Sequence, residues 1–125
     1  MLVVGGIYYL WCAAMYPPKE KFFICVDAEQ RWFLIINSRP VAKVSQETQL
    51  EVTNVEIGAF AEARIFIDTS RLMQLPPAEV APALRSDPRA CRGAISPTLR
   101  RRIKECIDAH GVLPQWATAM VLNNL

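Results

Sequence analysis

A chain of 125 residues, 52% hydrophobic and 21% charged, has room for one domain with a real core, which excludes a disordered chain and leaves little space for a second domain. Its formal net charge of +2 singles out no class of partner. A domain this small buries only about two-thirds of its unfolded surface, so a partner or a second copy of itself can add to its stability.

Residues 1–16 are apolar, but they lack the basic start of a signal peptide, are too short to span a bilayer and run into Pro17-Pro18. A buried strand is expected there instead, in a cytoplasmic protein that does not enter a membrane. That first strand is Ile7 to Trp11, β-branched and aromatic and introduced by Gly5-Gly6. Phe22 to Val26 and Trp32 to Ile36 follow, joined by the polar turn Asp27-Ala28-Glu29-Gln30 as an antiparallel hairpin. Their unbroken apolar runs imply cover on both faces. Gln49 to Glu56 alternates, with Leu50 and Val52 on one side and Glu51 and Thr53 on a wet one. Arg64 to Asp68 alternates too, with Ile65 and Ile67 opposite Arg64, Phe66 and Asp68. Five short strands with no helix between them favour a small barrel or strongly curled sheet over a parallel layer.

From Leu75 to Arg92 the prolines at 76, 77, 82 and 88 predict an irregular connection with room for one helical turn near Glu79. A helix then begins at the N-cap Ser96 with Pro97 in its first position, and Gly111 ends it. Leu99, Ile103, Cys106 and Ile107 share its apolar face, with Arg100, Arg101 and Lys104 mostly opposite, as a solvated surface. Trp116 to Leu122 forms a short last helix that covers the barrel or docks on a second subunit, with Trp116 as an interface anchor.

Charge is unevenly spread. Residues 85–104 are basic with only Asp87 against them, whereas Glu47, Glu51, Glu56, Glu62, Asp68 and Glu79 outweigh Arg64 and Arg71 in the preceding stretch. Such asymmetry suits a polyanion or an acidic protein, and equally a solvated helix face. The four cysteines form no CxxC pair and the chain has one histidine, so no zinc ligand set has the usual spacing. They read as reduced core residues. His110, in the last turn of its helix, fits a residue favoured there by the helix dipole better than a catalyst.

The order Gly6-Ile7-Tyr8-Tyr9-Leu10, then Pro18-Lys19-Glu20-Lys21-Phe22-Phe23-Ile24-Cys25-Val26, then Phe33-Leu34-Ile35-Ile36-Asn37-Ser38-Arg39 resembles the PemK/MazF-like toxin superfamily, more closely its divergent PemK-like branch. Phe66-Ile67-Asp68-Thr69-Ser70 is similar to that branch's aspartate-bearing strand end, and Gly93-Ala94-Ile95-Ser96 before a helix to its C-terminal segment. The resemblance implies an SH3-like barrel with a C-terminal amphipathic helix over the whole of residues 1–125, commonly a homodimer paired with an antitoxin. The implied activity is cleavage of single-stranded RNA with neither metal nor cofactor. A cation offsets the charge that builds on the phosphorane oxygens, and a base takes the proton of the 2′-hydroxyl.

On that resemblance Lys21 stands nearest the family's phosphate-binding arginine, Asp68 matches its acidic position, and Ser70 supplies a hydroxyl that assists. Lys19, Arg39 and Arg71 are expected to hold phosphate, the arginines through their planar fork. Asp27 stands where the family usually has Ser or Thr, and Phe66 where an arginine is often found. These two replacements favour an alternative, a non-catalytic SH3-like barrel that binds a protein or nucleic acid. Each expected site residue also has an ordinary role: Lys21 as a solvated lysine, Asp68 as a strand-end acceptor of backbone N–H groups, the arginines in surface ion pairs.

Overall fold

The computed structural model describes residues 1–57 and 64–125, the side chains of residues 54 and 55 excepted; Glu62 of the acidic stretch lies outside the described residues. The strands are β1 (Gly6–Cys12), β2 (Lys19–Asp27), β3 (Trp32–Asn37), β4 (Gln49–Thr53), β5 (Arg64–Gln74) and β6 (Cys91–Ala94). The helices are α1 (Asn54–Ile57), α2 (Pro77–Ser86), α3 (Pro97–His110) and α4 (Gln115–Asn124), and a 3-10 turn, Gln46–Thr48, precedes β4.

One antiparallel sheet holds all six strands in the order β4-β5-β3-β2-β1-β6. The expected hairpin of β2 and β3 is present, with Phe22 opposite Ile36 and Cys25 opposite Phe33. The mainly β fold with a helical C-terminus is as expected, and the sheet curls as a half-barrel whose edges, β4 and β6, do not pair with each other. β5 pairs with β3 as far as Ile35–Asp68, then resumes at Phe33–Met73, so residues 69–72 form a bulge opposite Leu34.

The apolar runs are covered on both faces. Ile7, Ile24, Val26, Leu34 and Ile36 join Val52, Ile65 and Ile67 beneath Leu99, Ile103 and Ile107 of α3 and Ala117 and Val121 of α4. The alternate residues Tyr8, Leu10, Phe23, Cys25, Phe33 and Ile35 form a second cluster with Leu75 and Val80 of α2. The period-2 geometry of a strand divides these residues between two cores.

α3 forms as its sequence dictates. The Ser96 hydroxyl accepts the Leu99 N–H at 3.1 Å, and Gly111 ends the helix with φ 53°. On its basic face Arg101 is exposed as expected, whereas Arg100 donates to the Val4 carbonyl at 2.9 Å; nearby Arg102 ion-pairs with Glu56 and donates to the Glu51 carbonyl. The Arg100 guanidinium lies where a side chain on Gly5 would go, 2.1 Å from an ideal Cβ, and Gly5 has φ +84°.

Three further expectations are corrected. The proline-rich connection contains a ten-residue helix, α2, because Pro77 occupies its first position, where no N–H is needed. A sixth strand, β6, follows it, held to β1 at Gly6–Ala94 and Tyr8–Cys91. Cys91 is exposed and Cys106 only half-buried, so only Cys12 and Cys25 are core cysteines; all four are free thiols.

Candidate functional site

The residues selected from the sequence fall into two groups. The first surrounds Lys21. Lys21 lies in β2 opposite Leu10, and its ammonium donates to Asn37 Oδ1 at 2.5 Å. It borders a groove of about 170 Å³ that Tyr9, Glu20, Phe22, Asn37 and Ser38 also line. Tyr9 and Phe22 are cross-strand neighbours with ring centroids 4.5 Å apart, and the Arg92 guanidinium sits 5.1 Å from the Tyr9 centroid. Trp11, opposite Glu20, is 48% exposed.

Burial holds the Lys21 ammonium below the usual lysine value, and the like charges of Lys19 and then Arg71 push the same way. Lys19 is exposed at the start of β2, and Arg39 is exposed in the loop after β3. The fold thus gathers Lys19, Lys21 and Arg71 into one positive field.

The second group is the β5 bulge. Asp68 is 1% exposed, and its Oδ1 accepts from Gln49 Nε2 at 2.8 Å, the Ser70 N–H at 2.9 Å and the Ser70 hydroxyl at 2.5 Å. The Arg71 guanidinium stands 3.7 Å from Oδ2, with its own side chain 53% exposed. Thr69 is buried beside it and donates to the Thr48 carbonyl at 2.6 Å. Asp68 therefore braces the bulge, ties β5 to β4 and turns Arg71 outward. A carboxylate whose one oxygen already receives several donors is fixed in place, a geometry suited to orienting a cation.

Glu20, which lines the groove, and Arg92, which sits over the Tyr9 ring, are the residues that sequence reasoning passed over. Glu20 reads as one charge among Lys19 and Lys21, and its one-residue offset from both is the signal that turns it to the other face of β2, with Trp11 and Tyr9. Arg92 comes from β6, which no periodicity announces. Among the described residues, no group of three or more His, Cys, Asp and Glu side chains is placed to hold a metal ion, and no helix is long and apolar enough to cross a membrane.

The groove offers the Lys21 ammonium for phosphate, aromatic side chains for flat rings and the Glu20 carboxylate. Compared with protein-family models, curated proteins and solved structures, the chain matches none.

Proposed function

We propose that this protein binds single-stranded RNA along the Lys21 groove and cleaves it without metal, as a PemK/MazF-like toxin built on an incompletely closed SH3-like barrel. It acts as a homodimer and is neutralised by a protein antitoxin. The observation that carries this reading is the like charge that Lys19 and Arg71 add at the Lys21 ammonium, in a groove that Tyr9 and Phe22, a tilted aromatic pair, also line. Like charges held together repel one another until an anion arrives, and aromatic faces accept bases of any sequence.

In this reading Lys21 and Arg71 hold the scissile phosphate while Lys19 and Arg39 attract the flanking backbone. The 2′-oxygen attacks the adjacent phosphorus, its proton passes to Glu20, and the 5′-oxygen leaves with a proton from water. Glu20 takes the proton-accepting part because it lines the groove, whereas Asp68, with Ser70, keeps Arg71 in position. The products are a 2′,3′-cyclic phosphate and a 5′-hydroxyl.

The test is incubation of purified protein with single-stranded RNA in the presence of a metal chelator. Fragments with cyclic phosphate ends are expected, and Lys21→Ala and Glu20→Gln should each abolish them. Intact RNA at high protein concentration ends the enzymatic claim. Expression without the antitoxin should arrest growth.

The burial of Asp68 favours a second reading, a non-catalytic barrel that binds a protein or nucleic-acid partner. It expects RNA retention without fragments, or no RNA binding and loss of a protein complex when Trp116 is changed.

A further inference from the structure

A larger hollow, sharing no lining residue with the Lys21 groove, lies between α2 and the turn that joins β2 to β3. Its volume is about 650 Å³. One wall is the face of α2 that carries Pro77, Val80, Ala81, Leu84 and Arg85, at the i, i+3, i+4, i+7, i+8 spacing of a single helix face. Val80 and Leu84 are rooted in the second core, so packing fixes this wall. Ala28, Glu29 and Arg31 of the turn form the other wall, and Leu2 adds to the lining. Concave sites of about 300–1,000 Å³ with apolar walls and a few placed polar groups are the usual form of a small-molecule site.

Arg31 is built into its wall. It takes φ 62°, in the left-handed region where glycine would sit with less strain, so its side chain is what this residue contributes. Its carbonyl accepts the Leu75 N–H at 3.1 Å and its Nε returns to the Leu75 carbonyl at 2.8 Å, while Nη1 donates to the Glu29 carbonyl at 3.1 Å. Nη2 has no acceptor among the described residues. Arg85 is exposed in the last turn of α2, and no carboxylate of the described residues ion-pairs with it or with Arg31.

We infer that this hollow binds a small amphipathic carboxylate, its aliphatic chain against α2 and its headgroup on Arg31 and Arg85. A guanidinium presents its donors in a planar fork that fits two carboxylate oxygens, and Arg31 is held still before the ligand arrives. None of the described lining residues is aromatic, so the walls offer a flat ring nothing to stack on and suit a saturated chain. Glu29, exposed in the same lining, repels a second negative charge and so favours a singly charged headgroup over a phosphate.

The experiment is an NMR titration of the full chain with octanoate, beside octanol and octyltrimethylammonium. Octanoate should bind saturably, one molecule per chain, with shifts centred on Ala28 and Ala81. Octanol should bind at least about tenfold more weakly, and the cation not at all. Arg85→Ala should weaken octanoate about tenfold and leave octanol unchanged, and Ala81→Trp should fill the hollow and abolish both. Both positions are exposed, so neither substitution should move the melting temperature. If Ala81→Trp does lower it, Arg85→Ala carries the test. Octanoate that fails to bind at millimolar concentration, binds without saturating, binds no tighter than octanol or is unaffected by Arg85→Ala overturns the assignment. No residue of the Lys21 groove takes part, so failure here and failure of the RNA reading are told apart.

Discussion

The Lys21 groove and the Asp68 bulge lie on the same sheet, yet they are built oppositely. Lys21 reaches a solvent-lined groove with one hydrogen bond, to Asn37, and with two like charges in its field. Asp68 is sealed from solvent and accepts from Gln49 and twice from Ser70. One charge is left in want of an anion; the other is already satisfied. Residue type therefore says less about role than the number of partners a side chain has already found, because a carboxylate whose acceptor sites are filled is committed to the fold and a crowded cation seeks a counter-charge.

That contrast can be broken most forcefully at Asp68. Asp68→Ala leaves the Gln49 amide and the Ser70 donors without their acceptor inside the fold, and should cost about 3 kcal/mol in urea unfolding. Stability within experimental error of the original would show that the carboxylate does not brace the bulge. Lys21→Ala should do the reverse. It should leave stability within about 0.5 kcal/mol, while RNA affinity falls about tenfold at low salt.

A pH series sharpens the same point. Phosphate binds the ammonium form, so the Lys21 contribution is complete below its pKa and is lost as pH rises through it. Burial, Lys19 and Arg71 set that value below the ordinary 10.5, so affinity should begin to fall at lower pH than a solvated lysine would give. In Lys21→Ala that part of the pH dependence should vanish.

The smallest effect is expected at the surface pair of Glu56 and Arg102. The Thr53 N–H, and then Arg102, holds the Glu56 carboxyl below its usual 4.5. Its contribution is thus present above that value and lost as pH falls through the lowered one. Glu56→Gln should cost less than about 1 kcal/mol at neutral pH and less still in acid, because the pair is largely solvated. A larger loss would mean that α3 is pinned to the β4 edge more tightly than its exposure implies.

Much of the scaffold was legible in the sequence because its signals are local. The runs at Phe22–Val26 and Trp32–Ile36 announced cover on both faces, and Ser96, Pro97 and Gly111 announced α3. The misses lie where long-range pairing decides. β6 has the composition Cys-Arg-Gly-Ala and becomes a strand only because β1 offers it a ladder. α2 was hidden by prolines that are harmless in its first turn, and Pro82 within it removes one N–H from a helix already held by Val80 in the second core. At the site, Lys21 and Arg71 could be proposed from the resemblance. The burial of Asp68 could not, because its partner Gln49 is 19 residues away and is set opposite it only by the β4–β5 ladder.

The most direct measurement is a titration of fluorescent single-stranded RNA with the original protein and with Lys21→Ala across a range of salt concentrations. The groove reading predicts binding that weakens with salt, and a log–log slope shallower by about 1 in the variant. No binding at low salt, or a slope and affinity that Lys21→Ala leaves unchanged, would contradict it.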